Sequence, residues 1–213
     1  MPQYYKTSKL PYDAEVARKH IMRSDPILGR AVKEIGPTDL RRRGTPYQSM
    51  FRALLYQQLA GAAATTIERR LLALFDDKVP EPDVLLATDI EKLRSAGLSR
   101  QKASYMHSLA EHFANGAVSN RALGRMSDEA VIEHVTQIKG IGTWTAHMLL
   151  MFNLGRPDVL PVGDLGVQKA VEDLYQLDKL PDPKTMTEVA EPWRPYRTIA
   201  SWYLWRTRDT LTL

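Results

Sequence analysis

QIKGIGTWTAHMLLMFNLGRPDVLPVGD, residues 137–164, is the stretch from which the rest of the chain is read. Gly140 and Gly142 flank Ile141 between two helical patterns, so the spacing predicts a tight hairpin between helices. On one side Ser127 is placed to cap a helix with Asp128 and Glu129 in its first turn and Val131, Val135 and Ile138 at helical spacing. On the other side Trp144, Met148, Leu149 and Phe152 keep the same period. Glycines there permit backbone conformations and close approaches that a Cβ would forbid. Amides at the start of the second helix are then available to an anion such as a phosphate.

A bare Gly-x-Gly would mean no more than a helical hairpin with glycine just past the first helix. This chain has a fuller pattern, with Lys139 before the glycines and Thr143-Trp144-Thr145-Ala146 after them. KGIGTWTA followed by LPVGD resembles the helix-hairpin-helix DNA glycosylases, which pair the hairpin with a Gly/Pro-rich loop and a catalytic aspartate. Within them the chain is similar to the alkylated-base branch, the DNA-3-methyladenine glycosylase II family. The likeness runs from Tyr47 to Trp205 and is strongest from Ile138 to Gly166. LLYQQLAGAAATTI and AGLSRQKASYMHSLA share in it, as does the ending that starts at Trp193-Arg194-Pro195-Tyr196-Arg197.

Composition sets the outer bounds. A chain of 213 residues suffices for one sizeable domain or two small lobes. It has no apolar run long enough for a membrane span, and MPQYYKTSKLPYD at its start lacks the apolar segment of a signal peptide. The expected location is intracellular: cytoplasm or nucleoid in a bacterium, nucleus in a eukaryote. With 0 cysteines there is no disulfide and no cysteine-ligated zinc or iron-sulfur cluster. A net charge of +4 and a pI near 9.2 agree with a polyanionic partner without establishing one.

Along the chain the apolar spacing predicts helices over about 13–22, 27–35, 47–59, 62–75, 83–87, 89–95, 99–115 and 165–174, with a turn of helix at 187–190 and a last helix through Trp205. Arg41-Arg42-Arg43 reads as a solvated loop, and Pro181 to Pro183 as a linker. No strand alternation is found. The expected class is all-α with roughly ten helices. The resemblance implies two lobes with the active-site cleft between them. Residues 1–45 and 156–213 would form the terminal lobe and 46–155 the central one, with the helix-hairpin-helix at about 128–154.

Asp164 follows Pro161-Val162-Gly163 and precedes an apolar helical run, the position of an N-cap. An aspartate fixed there by amides keeps its carboxylate oriented, which suits a reaction that creates a cation. Breaking an N-glycosidic bond gives an oxocarbenium-like sugar that such a carboxylate stabilises, and the resemblance gives Asp164 that catalytic role. Strand-cleaving members of the superfamily have a lysine just after the hairpin as Schiff-base nucleophile. Here Trp144 stands there, so the resemblance implies a monofunctional hydrolase that leaves an abasic site.

The resemblance also places Trp144 and Tyr196 at the base, where aromatic faces attract positively charged 3-methyladenine and 7-methylguanine by stacking and cation-π attraction. Gln57 would lie near the same pocket, and His147, one turn from Trp144, would line it. Gln58 would fill the gap left by the extruded nucleotide, and Lys139, Gly140, Ile141, Gly142 and Thr143 would anchor a phosphate. Trp202, Tyr203 and Trp205 read as packing residues. No metal-ligand pattern joins the histidines, and no cofactor is expected; hairpin carbonyls in this superfamily often hold a monovalent cation. The expected partner is double-stranded DNA with alkylated bases, bound by a monomer. Two other readings stay open: a helix-hairpin-helix module that only holds DNA, and a glycosylase for a different damaged base.

Overall fold

The computed structural model describes residues 5–210; the first four residues of the MPQYYKTSKLPYD segment lie outside them. Among the described residues the secondary structure is helical apart from the two-residue strands β1 (Thr7–Ser8) and β2 (Arg42–Arg43), which pair. The all-α expectation holds. Arg42 and Arg43, expected in a loop, form β2; Arg42 Nε donates to the Lys9 carbonyl at 3.1 Å.

In chain order the helices are α1 (Ala14–Ser24), α2 (Pro26–Ile35), α3 (Pro46–Tyr56), α4 (Gly61–Ala73), α5 (Pro82–Leu86), α6 (Ile90–Ser95) and α7 (Arg100–Ala114). Then come α8 (Asn120–Leu123), α9 (Asp128–Val135), α10 (Thr143–Leu149), α11 (Leu165–Tyr175), α12 (Pro183–Val189) and α13 (Arg197–Thr210). None of them is long and apolar enough to cross a membrane. The chain divides into two compact units. One comprises residues 5–8 and 43–149 and contains α3 to α10; the other comprises residues 9–42 and 150–210 and contains α1, α2 and α11 to α13.

In the first unit α3 and α7 pack together, burying Phe51, Leu54 and Leu55 with Met106 and Leu109. The wide apolar face of α3 forms as its period dictates. The helix stops at Tyr56, three residues short of the expected end. Gln57 has ψ 132° and Gln58 takes the left-handed φ of 56°, so neither continues the helix.

The second unit is built on α11 against α13, with α1 and α2 beside them and Trp193 and Tyr203 fully buried. Asp25 joins α1 to α2 and is only 6% exposed. Its Oδ1 accepts the amides of Ile27 and Leu28 at 2.9 and 3.0 Å, and its Oδ2 accepts the Trp193 indole N–H at 2.7 Å and the Tyr175 hydroxyl. Both oxygens are engaged, which is what a carboxylate this deep requires. Burial, followed by the hydrogen bond to Asp25, drives the Tyr175 phenol far above its ordinary pKa.

Two further elements differ from the sequence expectation. Asp182-Pro183 is an N-cap followed by proline at the first helical position, so the expected linker begins α12 and the turn at 187–190 is the end of a longer helix. Beyond α10 the chain winds as a π-helix over Leu150–Leu154. An i→i+5 turn shifts the face of the residues within and after it, and α10 before it keeps its own α-helical face. Thr145, Ala146, Leu149, Leu150 and Met151 are inside, and Trp144 is outside at 50% exposure.

The buried Asp25 knot makes a direct prediction. Asp25→Ala removes a helix cap and strands the Trp193 and Tyr175 donors, a cost of about 3 kcal/mol or more. Thermal unfolding should show a melting temperature lower by several degrees; an unchanged value would contradict the role assigned to Asp25.

Candidate functional site

The hairpin follows α9, whose cap Ser127 accepts the Ala130 amide at 3.2 Å as its position predicts. Ile138 N–H donates to Val135 O at 3.1 Å and Ile141 N–H to Ile138 O at 3.0 Å, closing the turn. Gly140 has φ +88°, and a Cβ there would lie 2.4 Å from the Tyr105 ring. Gly142 differs: a Cβ there meets nothing within 4 Å. The expected close approach therefore exists inside the molecule at Gly140 only, while Gly142 faces open space. Lys139 is exposed and its amide donates to Ser108 Oγ at 3.2 Å; Ile141 is buried at 4% exposure; Thr143 begins α10 on the outside.

The paired glutamines have separate surroundings. Half-buried Gln57 donates from Nε2 to Gly140 O at 2.8 Å, binding the end of α3 to the hairpin. Gln58, in the left-handed conformation, is exposed. The turn is held from behind by Lys102 of α7, whose Nζ donates to Leu55 O and Gln57 O at 2.6 Å each. An ammonium on the last carbonyls of a helix complements its dipole. Lys102 thus points inward, and burial lowers its pKa.

In the same unit Trp144 is half exposed, and His147 is half-buried three residues on. Desolvation lowers the His147 pKa and Asp128 opposes it with a smaller upward pull, so imidazole rather than imidazolium is favoured.

The second unit contains Asp164 and Tyr196. Leu160 and Pro161 are buried and Gly163 is exposed; the Asp164 amide donates to Pro161 O at 2.9 Å, a tight turn that delivers Asp164 to the start of α11. Asp164 is 8% exposed, and its Oδ1 accepts the Val167 amide at 2.9 Å, the N-cap bond that the sequence predicts. The same oxygen accepts the Trp205 indole N–H at 2.9 Å. Trp205 was expected only to pack; it does pack, with its ring centroid 5.7 Å from that of Phe152, and it also binds the aspartate. No local signal in the sequence ties Trp205 to a residue 41 positions away.

Tyr196 is half-buried between two rings, with Tyr12 at 6.0 Å and His20 edge-on at 5.5 Å. Arg197 grips Asp158 with Nε to Oδ1 at 2.7 Å and Nη2 to Oδ2 at 3.0 Å, and Arg194 reaches the same carboxylate at 2.8 Å. A forked pair of this kind holds a carboxylate with geometric specificity as well as charge.

These parts are a hairpin with Lys139, Gly142 and Thr143 exposed, an exposed indole directly after it, and a carboxylate fixed at a helix start. Comparison with known proteins gives them a family. Residues 51–195 match the HhH-GPD superfamily base excision DNA repair protein model, and the chain belongs to that superfamily. It is 36% identical to DNA-3-methyladenine glycosylase 1 of Schizosaccharomyces pombe over 196 residues, covering 90% of this chain and 86% of that one. Among solved structures, the S. pombe 3-methyladenine DNA glycosylase in complex with abasic DNA superposes with a TM-score of 0.80 at 35% identity, covering 91% of this chain and 97% of that one. The DNA-3-methyladenine glycosidase of Bacillus halodurans superposes with a TM-score of 0.83 at 34% identity, covering 98% and 94%.

The two hairpin glycines separate conformational need from open space. Gly140→Ala combines a left-handed φ with overlap on Tyr105 and should cost on the order of 2 kcal/mol or more, whereas Gly142→Ala should melt within about a degree of the native protein. Equal melting temperatures for the two variants would contradict this account of the hairpin.

Proposed function

We propose that the protein is a monofunctional DNA glycosylase of base excision repair that extrudes alkylated purines of the 3-methyladenine and 7-methylguanine type and hydrolyses their N-glycosidic bond, leaving an abasic site. The observation that carries this reading is Asp164: a carboxylate at 8% exposure, capping α11 and fixed by two N–H donors on one oxygen. Such a group is oriented before the substrate arrives, so it stabilises a developing oxocarbenium ion without reorganising. The similar proteins are named for 3-methyladenine, the first of these bases.

Each remaining part has a role in this reading. Alkylation places positive charge on the purine and weakens its bond to the sugar, so the leaving group needs little acid assistance. An electron-rich aromatic then serves for recognition, and Trp144, exposed at the head of α10, supplies one. Tyr196 is a second, with a weaker cation-π face than an indole. His147 and Gln57 complete the surroundings of the base, and the neutral imidazole favoured at His147 avoids setting like charge against a cationic purine. Gln58, exposed on its left-handed turn, takes the place of the extruded nucleotide.

Lys139 and the amides from Gly140 to Thr143 hold a backbone phosphate, an approach that the open space at Gly142 permits. Hairpin carbonyls are hard oxygen donors of the kind that would hold a monovalent cation, which would strengthen phosphate binding. Trp144 occupies the position of the lysine used by strand-cleaving relatives, hence the hydrolase. Such an enzyme works where the DNA is: cytoplasm or nucleoid in a bacterium, nucleus in a eukaryote.

The test is incubation of the protein with methylated duplex DNA, with chromatography of released bases, gel analysis of the strands and borohydride trapping. The expected result is free 3-methyladenine or 7-methylguanine, strands intact until alkali, and no covalent adduct. A trapped adduct or enzymatic strand cleavage would overturn the monofunctional assignment. Binding without release of any base would favour a module that only holds DNA.

A further inference from the structure

We propose that Trp205 is a positioning residue for the reaction, acting through its indole N–H on Asp164. The proposal rests on the reading of Asp164 as the carboxylate that faces the sugar.

An N-cap bond alone ties a carboxylate at one point, here Val167 N–H to Oδ1 at 2.9 Å, and leaves the plane of the group to rotate about that point. The Trp205 bond adds a second donor to the same oxygen at 2.9 Å, and it comes from α13 rather than from the helix that Asp164 caps. Two donors from different elements hold Oδ1 from two sides. The indole is itself held, its ring against Phe152 at 5.7 Å.

Gly166 makes the approach possible. A Cβ there would lie 3.1 Å from Asp164 Oδ1, 3.1 Å from Trp205 Cδ1 and 3.2 Å from Trp205 Nε1, so it would press on both ends of the bond at once. The backbone at Gly166 is ordinary helix, and nothing in its conformation requires glycine. What requires it is the space beside the Trp205–Asp164 bond.

The same molecule contains a contrasting pair. Trp193 donates to Asp25 in the same manner, but Trp193 is 0% exposed and the other Asp25 oxygen takes the Tyr175 hydroxyl inside the core. That bond serves stability. Trp205 is only half-buried, on an aspartate assigned to the chemistry.

Two substitutions break the bond in opposite ways. Trp205→Phe keeps an aromatic ring against Phe152 and deletes the N–H; Gly166→Ala keeps the indole, gains helix propensity and pushes the partners apart. Each should slow single-turnover release of 7-methylguanine by roughly tenfold to a hundredfold, the effect of losing a hydrogen bond to a charged group. Affinity for abasic-site DNA and, for Gly166→Ala, the melting temperature should stay near native. In an Asp164→Asn background Trp205→Phe should add nothing, because it acts through the carboxylate.

Native rates in both variants, or a further loss on adding Trp205→Phe to Asp164→Asn, would overturn the proposal. The Trp205 indole N–H resonance reports on the bond without activity: it should move when Asp164 is replaced by Asn, and a resonance that stays put also overturns it. A native protein that releases no methylated base would defeat the glycosylase reading instead, and the resonance would still decide the bond.

Discussion

A carboxylate taken almost entirely out of water must be met by donors, and the second unit of this protein is arranged around meeting one. Asp164 receives the amide of Val167, the third residue of α11, and an indole N–H from α13. The turn at Pro161 brings it there, Gly166 leaves room beside it, and Phe152 backs the indole. A side chain held by donors from two different helices has little freedom to relax, and electrostatic catalysis depends on that condition. Asp25 shows the structural version of the same chemistry: both of its oxygens are engaged within the core, and it joins two helices.

The first unit solves a different problem, that of presenting polar groups on a rigid support. The turn at Gln57 and Gln58 projects from the end of α3, where a chain would ordinarily fray. Lys102 ties its carbonyls to α7, and Gln57 ties it to the hairpin carbonyl at Gly140. Tyr105 packs where a side chain at Gly140 would be. Hairpin and turn therefore share one scaffold, and a change at Lys102 or Tyr105 is felt by both. Loops carry such functions because they can reach a partner, and a rigid base is what makes their geometry reproducible.

How much of this is legible in the sequence depends on how local the cause is. The caps at Ser127 and Asp164 are residue-level chemistry and stand where the spacing puts them. Helical periodicity gave the class and most of the elements. It does not mark Trp144 as exposed: Trp144 shares the period of Met148, Leu149 and Phe152, yet α10 buries Thr145, Ala146 and Leu149 instead and leaves Trp144 50% exposed. It overran α3, because the sequence does not reveal that Gln58 takes a left-handed conformation. The inward turn of Lys102 and the bond from Trp205 are products of tertiary packing between helices far apart in the chain, and their residue types alone suggest a phosphate contact and a core indole. The family resemblance rested on a few motifs, and the match over residues 51–195 extends well beyond them.

The most direct test of the account is the single-turnover rate of 7-methylguanine release by Asp164→Asn, measured beside its affinity for abasic-site DNA. The substitution keeps a cap oxygen for the Val167 amide and removes the charge. The account predicts a rate lower by at least about a hundredfold, as for loss of a preorganised electrostatic group, with DNA affinity close to native. Release at the native rate would contradict it, since the carboxylate around which the second unit is built would then have no part in breaking the bond.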